Sequence, residues 1–214
     1  MSEDRKEDLL GILKMRQFEK HSKYLGIPTI IGRSKKVIFG ALLDRIWKKL
    51  RGWKEKILSR AEKEILLKSV IQAIPTYLMG VYKLSAAMIN DIQSAMSRFF
   101  WGSDEGKRRL HWRNWKSMCE PKCAGGMGFE DLSVFNDAFL GKQAWRLVKG
   151  EESLLGRVMK AKYYPNCTFL DSSLGYCCSY PWKSVWCSKA LILEVMIWRV
   201  GNGAHIRIRE DPCG

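Results

Sequence analysis

Residues 34–51 read SKKVIFGALLDRIWKKLR, and their pattern decides the fold class. Val37, Ile38, Ala41, Leu42, Ile46 and Leu50 recur at steps of three and four, the period of a helix with one buried stripe. Lys35, Lys36, Arg45, Lys48 and Lys49 crowd the remaining face, and Gly52 breaks the pattern. The same period returns downstream. Ser59 starts a second helix over 59–74, with Glu62 three residues on as a capping box. Its stripe is Ile65, Leu66, Val70, Ile71 and Ile74, and Pro75 ends it. Ser85 caps a third helix over 85–100, with Met88, Ile89, Ile92, Ala95, Met96 and Phe99 recurring along it. A fourth is expected over 133–149 on Val134, Phe135, Ala138, Phe139, Trp145 and Leu147, and a short fifth over 154–162. Near the end, IWRVGNGAHIRI (197–208) is two alternating runs about a Gly-Asn-Gly turn, which predicts a β-hairpin. The fold class is therefore mainly α: a basic helical packet, an irregular helical connector and a short C-terminal hairpin.

Composition agrees with a folded core. The chain has 214 residues, 46% hydrophobic and 28% charged, enough for one large domain or two small ones. No apolar run reaches the roughly 18 residues that span a bilayer, and MSEDRKEDLL carries no signal-peptide core. No membrane partner is expected. Seven cysteines, odd in number and irregularly spaced, fit a reducing compartment, hence an intracellular protein of nucleus or cytoplasm.

Charge is unevenly placed. The net charge is +15; residues 33–149 carry 23 basic and 11 acidic side chains, against six and five in 1–32 and eight and six in 150–214. A surplus of this kind points to a polyanionic partner, with a solvated surface or an acidic protein partner as the alternatives. Between Arg33 and Lys56 nine basic residues face only Asp44 and Glu55. Trp47 and Trp53 lie among them, where they either stack on bases or, more commonly for tryptophan, anchor the helix to its neighbours.

Chemistry-bearing patterns are sparse. His111, Cys119 and Cys123 lack the paired short spacings of a zinc finger, and Cys177, Cys178 and Cys187 read as incidental thiols. The glycines of EPKCAGGMGFEDL match no P-loop and read as a turn. There is no Gly-x-Ser-x-Gly, no His-Glu-x-x-His and no Asp-Asp pair. From residues alone this is a basic, mainly helical binding module with no catalytic residue, metal ligand or cofactor to assign.

Six pieces, in one order, carry a resemblance: KYLGIPTIIGRSKKVIF (23–39), WKEKILSRAEKEILLKSVIQAIPTYLMGVYKL (53–84), FFWG (99–102), HWRNWKSMCEPKCAGGMGFEDLSVFNDAFLGKQAWRL (111–147), KAKYYPNCTFLDSSLG (160–175) and WRVGNG (198–203). Together they resemble the plant LINE-type (non-LTR) retrotransposon reverse transcriptases, in the stretch after the polymerase palm. Plant genes carrying it are often named as ribonuclease H proteins. The chain departs from that pattern at Glu62, where the family favours glycine, and at Arg209 and Cys213, where it favours tryptophan.

The resemblance implies a division into a palm-end, primer-grip remnant (1–32), a thumb-like packet (33–101) and a connector ending in the hairpin (102–214). It places the Tyr-x-Asp-Asp carboxylates, which hold Mg²⁺ in the parent RNA-directed DNA polymerase, upstream of this stretch. The chain alone is then no enzyme and needs no cofactor. What it implies instead is a truncated polyprotein fragment whose basic helix grips an RNA–DNA or DNA duplex by its phosphates, through Lys35, Lys36, Arg45, Lys48, Lys49, Arg51, Lys54 and Lys56. The competing expectation is a structural or protein-interaction remnant of a decayed element with no nucleic-acid role.

Overall fold

The structure is a computed structural model that describes residues 35–102, 110–150, 153–176 and 178–197, with side chains of the first helix described from Phe39 onward. Residues 1–32, expected as a palm-end segment, the part of the expected hairpin beyond Ile197, and the side chains of Lys35, Lys36, Val37 and Ile38 lie outside the described residues. Among the described residues the chain is helical, with no strand, as the periodicity requires.

The chain divides into two compact units, Met1–Lys48 and Lys49–Gly214. Helix α1 (Lys35–Lys54) runs through the division. In the first unit, Phe39, Leu42 and Ile46 are its buried side chains. In the second, Leu50 continues that stripe in burial.

The second unit begins with the end of α1 and then α2 (Arg60–Leu66). Ser59 caps α2 as the sequence predicts. Its hydroxyl accepts from Glu62 N at 3.3 Å, and its own N–H donates to Glu62 Oε2 at 2.7 Å. Hydrogen bonds from the Ser59 hydroxyl and then its backbone hold the Glu62 carboxyl below the usual carboxylate range. Past Leu66 the expected α-helix does not continue to residue 74. A π-helical turn, Leu67–Ile71, follows, in which Gln72 N reaches back five residues to Leu67 O at 3.0 Å. The wider turn rotates the buried face. Leu67 and Ile71 are buried, whereas Ile65, expected in the stripe, is 63% exposed. Pro75 then precedes a single turn, α3 (Thr76–Met79).

Helix α4 (Ala86–Trp101) is capped by the Ser85 hydroxyl, which accepts from Met88 N at 3.3 Å. All six apolar positions read from the sequence are buried in it. Gly102 ends it in the left-handed conformation, φ 72°, donating to the Arg98 and Phe99 carbonyls, a helix stop that suits glycine. Helix α4 packs on α2, on the short α5 (Trp115–Cys119) and on α6 (Leu132–Val148).

Helix α6 is the hub of this unit. It also packs on α3, on α8 (Tyr180–Cys187) and on α9 (Lys189–Val195). Its expected extent is right within a residue, but its expected face is not. Val134 is 67% and Trp145 41% exposed, and Ala138 also faces solvent. The buried stripe is Leu132, Asn136, Leu140, Ala144 and Leu147. Asn136 lies at its centre because it satisfies a loop that would otherwise bury bare backbone. Its Oδ1 accepts from Leu84 N at 2.8 Å, and its Nδ2 donates to Met79 O at 2.9 Å and Tyr82 O at 3.0 Å. Helix α8 grips the same loop. Lys83 N donates to Ser184 Oγ at 2.9 Å, and the Tyr180 hydroxyl donates to Lys83 O.

The C-terminal part of the core is aromatic. Trp182 is fully buried, stacked on Tyr163 at 4.7 Å and 2° and on Tyr164 at 5.6 Å and 19°, with Phe169 edge-on at 5.9 Å. Its indole N–H donates to Leu174 O at 3.1 Å, so the buried ring leaves no polar atom bare. Helix α7 (Leu154–Tyr163), near the expected 154–162, supplies Met159 and Tyr163 to this cluster.

Candidate nucleic-acid interface

The predicted cations whose side chains are described all lie in solvent. Arg45 and Lys48 are exposed in the first unit, and Lys49, Arg51, Lys54 and Lys56 in the second. Burial of the apolar stripe turns these positions outward. Among the described residues no carboxylate lies within ion-pair range of Arg45, Lys48, Lys49, Arg51 or Lys56. Their charge is therefore open to an external anion. Lys35 and Lys36 belong to the first turn of the same helix, with side chains outside the described residues.

Further cations, which sequence reasoning did not include, lie on aromatic rings in the second unit. Lys63 Nζ is 5.7 Å from the centre of the Phe99 ring, and the Arg60 guanidinium is 5.3 Å from that of Trp101. Trp53, at the end of α1, packs tilted on Phe99 at 6.0 Å. It is half-buried, so this tryptophan serves as an anchor. The rings supply cation–π attraction that holds Lys63 and Arg60 at the surface. The only local signal for them was alternation of basic residues with a helical period. Their ring partners are 36 and 41 residues away in sequence.

The glycine loop is a structural turn. Gly126 N donates to Pro121 O at 3.0 Å, Gly128 N to Glu120 O at 2.9 Å, and Met127 N and Phe129 N both to Met118 O. These N–H groups are consumed within the loop and offer nothing to a phosphate. Lys68 fastens the loop to α2 and its π turn. Its ammonium donates to Met127 O at 2.5 Å and Glu64 Oε1 at 2.7 Å, and lies 5.0 Å from the Phe129 ring centre. Lys68 is thus a structural cation, and its hydrogen bond holds the Glu64 carboxyl below its ordinary range.

Among the described residues no group of three or more His, Cys, Asp or Glu, at His111, Cys119 and Cys123 or elsewhere, is placed to hold an ion. Burial, and then the Asp131 and Glu130 charges, push the Cys119 thiol up to about 12. At pH 8 its thiolate fraction is about a thousandfold lower than that of an ordinary thiol. Iodoacetamide on the folded chain is expected to alkylate exposed Cys123 and leave Cys119 largely intact, read by peptide mass spectrometry. Equal labelling would contradict the burial. No described helix is long and apolar enough to cross a membrane.

A basic, mainly helical module with cations set on aromatic rings is the class that fold and surface define. Comparison with known proteins places it further. No protein-family model matches the chain. It is 34% identical over 140 residues to an uncharacterized mitochondrial protein of Arabidopsis thaliana, covering 65% of this chain and 91% of that protein. It is 30% identical over 190 residues to an Arabidopsis thaliana protein named "Putative ribonuclease H protein", covering 86% of this chain and 30% of that protein. The chain belongs to the family of the mitochondrial protein. Both relatives are consistent with a retrotransposon-derived plant protein, the broader class of the resemblance.

Proposed function

We propose that this chain is the thumb-and-connector portion of a LINE-type reverse transcriptase. In this reading it holds a template–primer duplex by its phosphates and contributes grip rather than chemistry. The observation that carries the reading is the run of exposed cations on and just after α1, at Arg45, Lys48, Lys49, Arg51 and Lys56, with no carboxylate in ion-pair range among the described residues. Similarity to the ribonuclease H-named relative supports the retroelement origin, though the chain spans only 30% of that protein's length. The polymerase carboxylates and their Mg²⁺ belong, in this reading, to another part of the parent protein. Phosphate contacts carry no sequence information, so preference among duplexes is slight.

The test is a salt titration of binding to a fluorescent RNA–DNA duplex. Each neutralised phosphate contributes a log–log slope of roughly −0.9. Lys48→Ala combined with Lys49→Ala is expected to weaken binding and flatten the slope by roughly one to two units. Helix content is expected to hold, since both side chains are exposed and alanine favours helix. Equal slopes for wild type and double variant would remove α1 from the interface. Absence of binding by the wild type at low salt would leave a structural or protein-interaction remnant as the better reading.

A further inference from the structure

Trp112 is the most exposed of the described tryptophans. It is 72% exposed, and Leu110 two residues earlier is 70% exposed. Tryptophan is usually well buried, because a ring left in water forfeits a large hydrophobic gain. Trp53, Trp182 and Trp186 are all engaged in packing or hydrogen bonding, and Trp145 has the Lys149 ammonium 5.7 Å from its ring centre. Among the described residues no ring or cation contacts Trp112.

The residue before it belongs to a ring pair, and the stretch around it in sequence is basic. The His111 ring, itself exposed, lies 6.1 Å from Trp101 at 22°, a stacked pair, with His111 Nδ1 3.5 Å from Ser97 Oγ. The Arg60 guanidinium lies 5.3 Å from the Trp101 ring centre. Arg98 is exposed on the last turn of α4. From Leu110 to Cys119 the chain carries Arg113 and Lys116 and no carboxylate. An exposed flat ring next in sequence to the exposed His111, in a stretch with cations and no carboxylate, complements a ligand with flat π-faces and a polyanionic backbone. That is single-stranded nucleic acid: unpaired bases stack on aromatic rings while cations follow the phosphates, as a sequence-tolerant mode of binding.

We propose that Trp112, with its sequence neighbour His111, is a stacking site for the unpaired bases of a strand that extends beyond the duplex. The proposal rests on the nucleic-acid reading above and adds to it a discrimination that phosphate contacts alone cannot give. Arg60 and Arg98 would meet the backbone of that strand.

The experiment compares three labelled ligands by fluorescence anisotropy with the full chain: a blunt RNA–DNA duplex, the same duplex with an unpaired eight-nucleotide extension, and that duplex with an abasic extension of equal charge. The wild type is expected to bind the base-bearing extension about tenfold tighter than the abasic one. Trp112→Ala is expected to abolish that difference while leaving blunt-duplex affinity and its salt slope unchanged. Trp112→Phe, which keeps a ring, is expected to retain most of it. Equal wild-type affinity for base-bearing and abasic extensions would overturn the stacking site while leaving the duplex reading intact. So would a preference that survives Trp112→Ala together with His111→Ala. Failure to bind any of the three at low salt would overturn the duplex reading, and the stacking site with it.

Discussion

Asn136→Leu is expected to destabilise the second unit by about 3 kcal/mol or more, although leucine shares asparagine's branching at Cγ and is the more hydrophobic residue. The side chain is fully buried. It makes three hydrogen bonds to backbone of the 79–84 segment, which links α3 to α4. Leucine would leave Leu84 N–H and the Met79 and Tyr82 carbonyls without that partner. A buried unsatisfied group costs roughly 1–3 kcal/mol, and the three are coupled through one side chain, so their costs will not add in full. Urea unfolding followed by circular dichroism should show a lowered midpoint, and the melting temperature should fall by about 6–12 °C. A shift under about 0.5 kcal/mol, such as exposed Asn90→Ala should give, would show that the segment is held by other means.

Asn136→Asp refines the test. An ionised carboxylate can still accept from Leu84 N–H but faces two carbonyl oxygens it cannot donate to. Burial would raise its folded-state pKa above the unfolded value. Relative to wild type, that variant is then most stable at low pH, where the neutral acid can donate one bond. It loses stability as pH rises through the folded-state pKa.

Asn136 also marks where the sequence was legible. In α4 every buried position but Ser97 is apolar, so a three-and-four period identifies the inner face. In α6 the inner face carries a polar residue at its centre, while Val134, Phe135 and Trp145 put apolar weight on the other side. A period read from hydrophobicity alone then selects the wrong face. The partner that makes asparagine right is the Met79–Leu84 backbone, more than 50 residues away. In α2 the error has another source. The period assumes about 100° per residue, and the π turn at Leu67–Ile71 breaks that assumption past Leu66. The cap at Ser59 was legible because its partner is three residues away.

The candidate interface follows the same division. That the α1 cations face solvent was legible from a local pattern. The ring-borne cations Lys63 and Arg60 were not, because Phe99 and Trp101 come to them through packing of α2 on α4. Trp112 illustrates the opposite limit. Nothing in the residues around it distinguishes an exposed tryptophan from a buried one. Only the packed structure shows that no other part of the described chain covers it.

Gly126→Ala is expected to cost about 3 kcal/mol or more, the upper end for overpacking, because the obstacle is backbone. A Cβ at Gly126 would lie 2.0 Å from Glu120 O, 2.4 Å from Glu120 C and 2.7 Å from Glu120 Cα. No rotamer change relieves such a contact. The loop must open, and its closure is what the hydrogen bonds of Gly126 N to Pro121 O and Gly128 N to Glu120 O provide. Opening it would also displace Met127 O, which accepts from Lys68, and buried Phe129, whose ring packs at 4.9 Å from Trp115 and 5.9 Å from Phe100. The damage should therefore reach α2 and α4 and appear as a lowered global midpoint rather than local fraying. Gly52→Ala is the contrasting substitution. That glycine is exposed within α1, with nothing within 4 Å of an added Cβ. Alanine there should stabilise the helix by about 0.5–1 kcal/mol. Urea midpoints of the two variants should move in opposite directions from wild type. A Gly126→Ala midpoint equal to wild type would mean that residues 120 and 126 do not cross at this distance, and that the loop's glycines are free for another role.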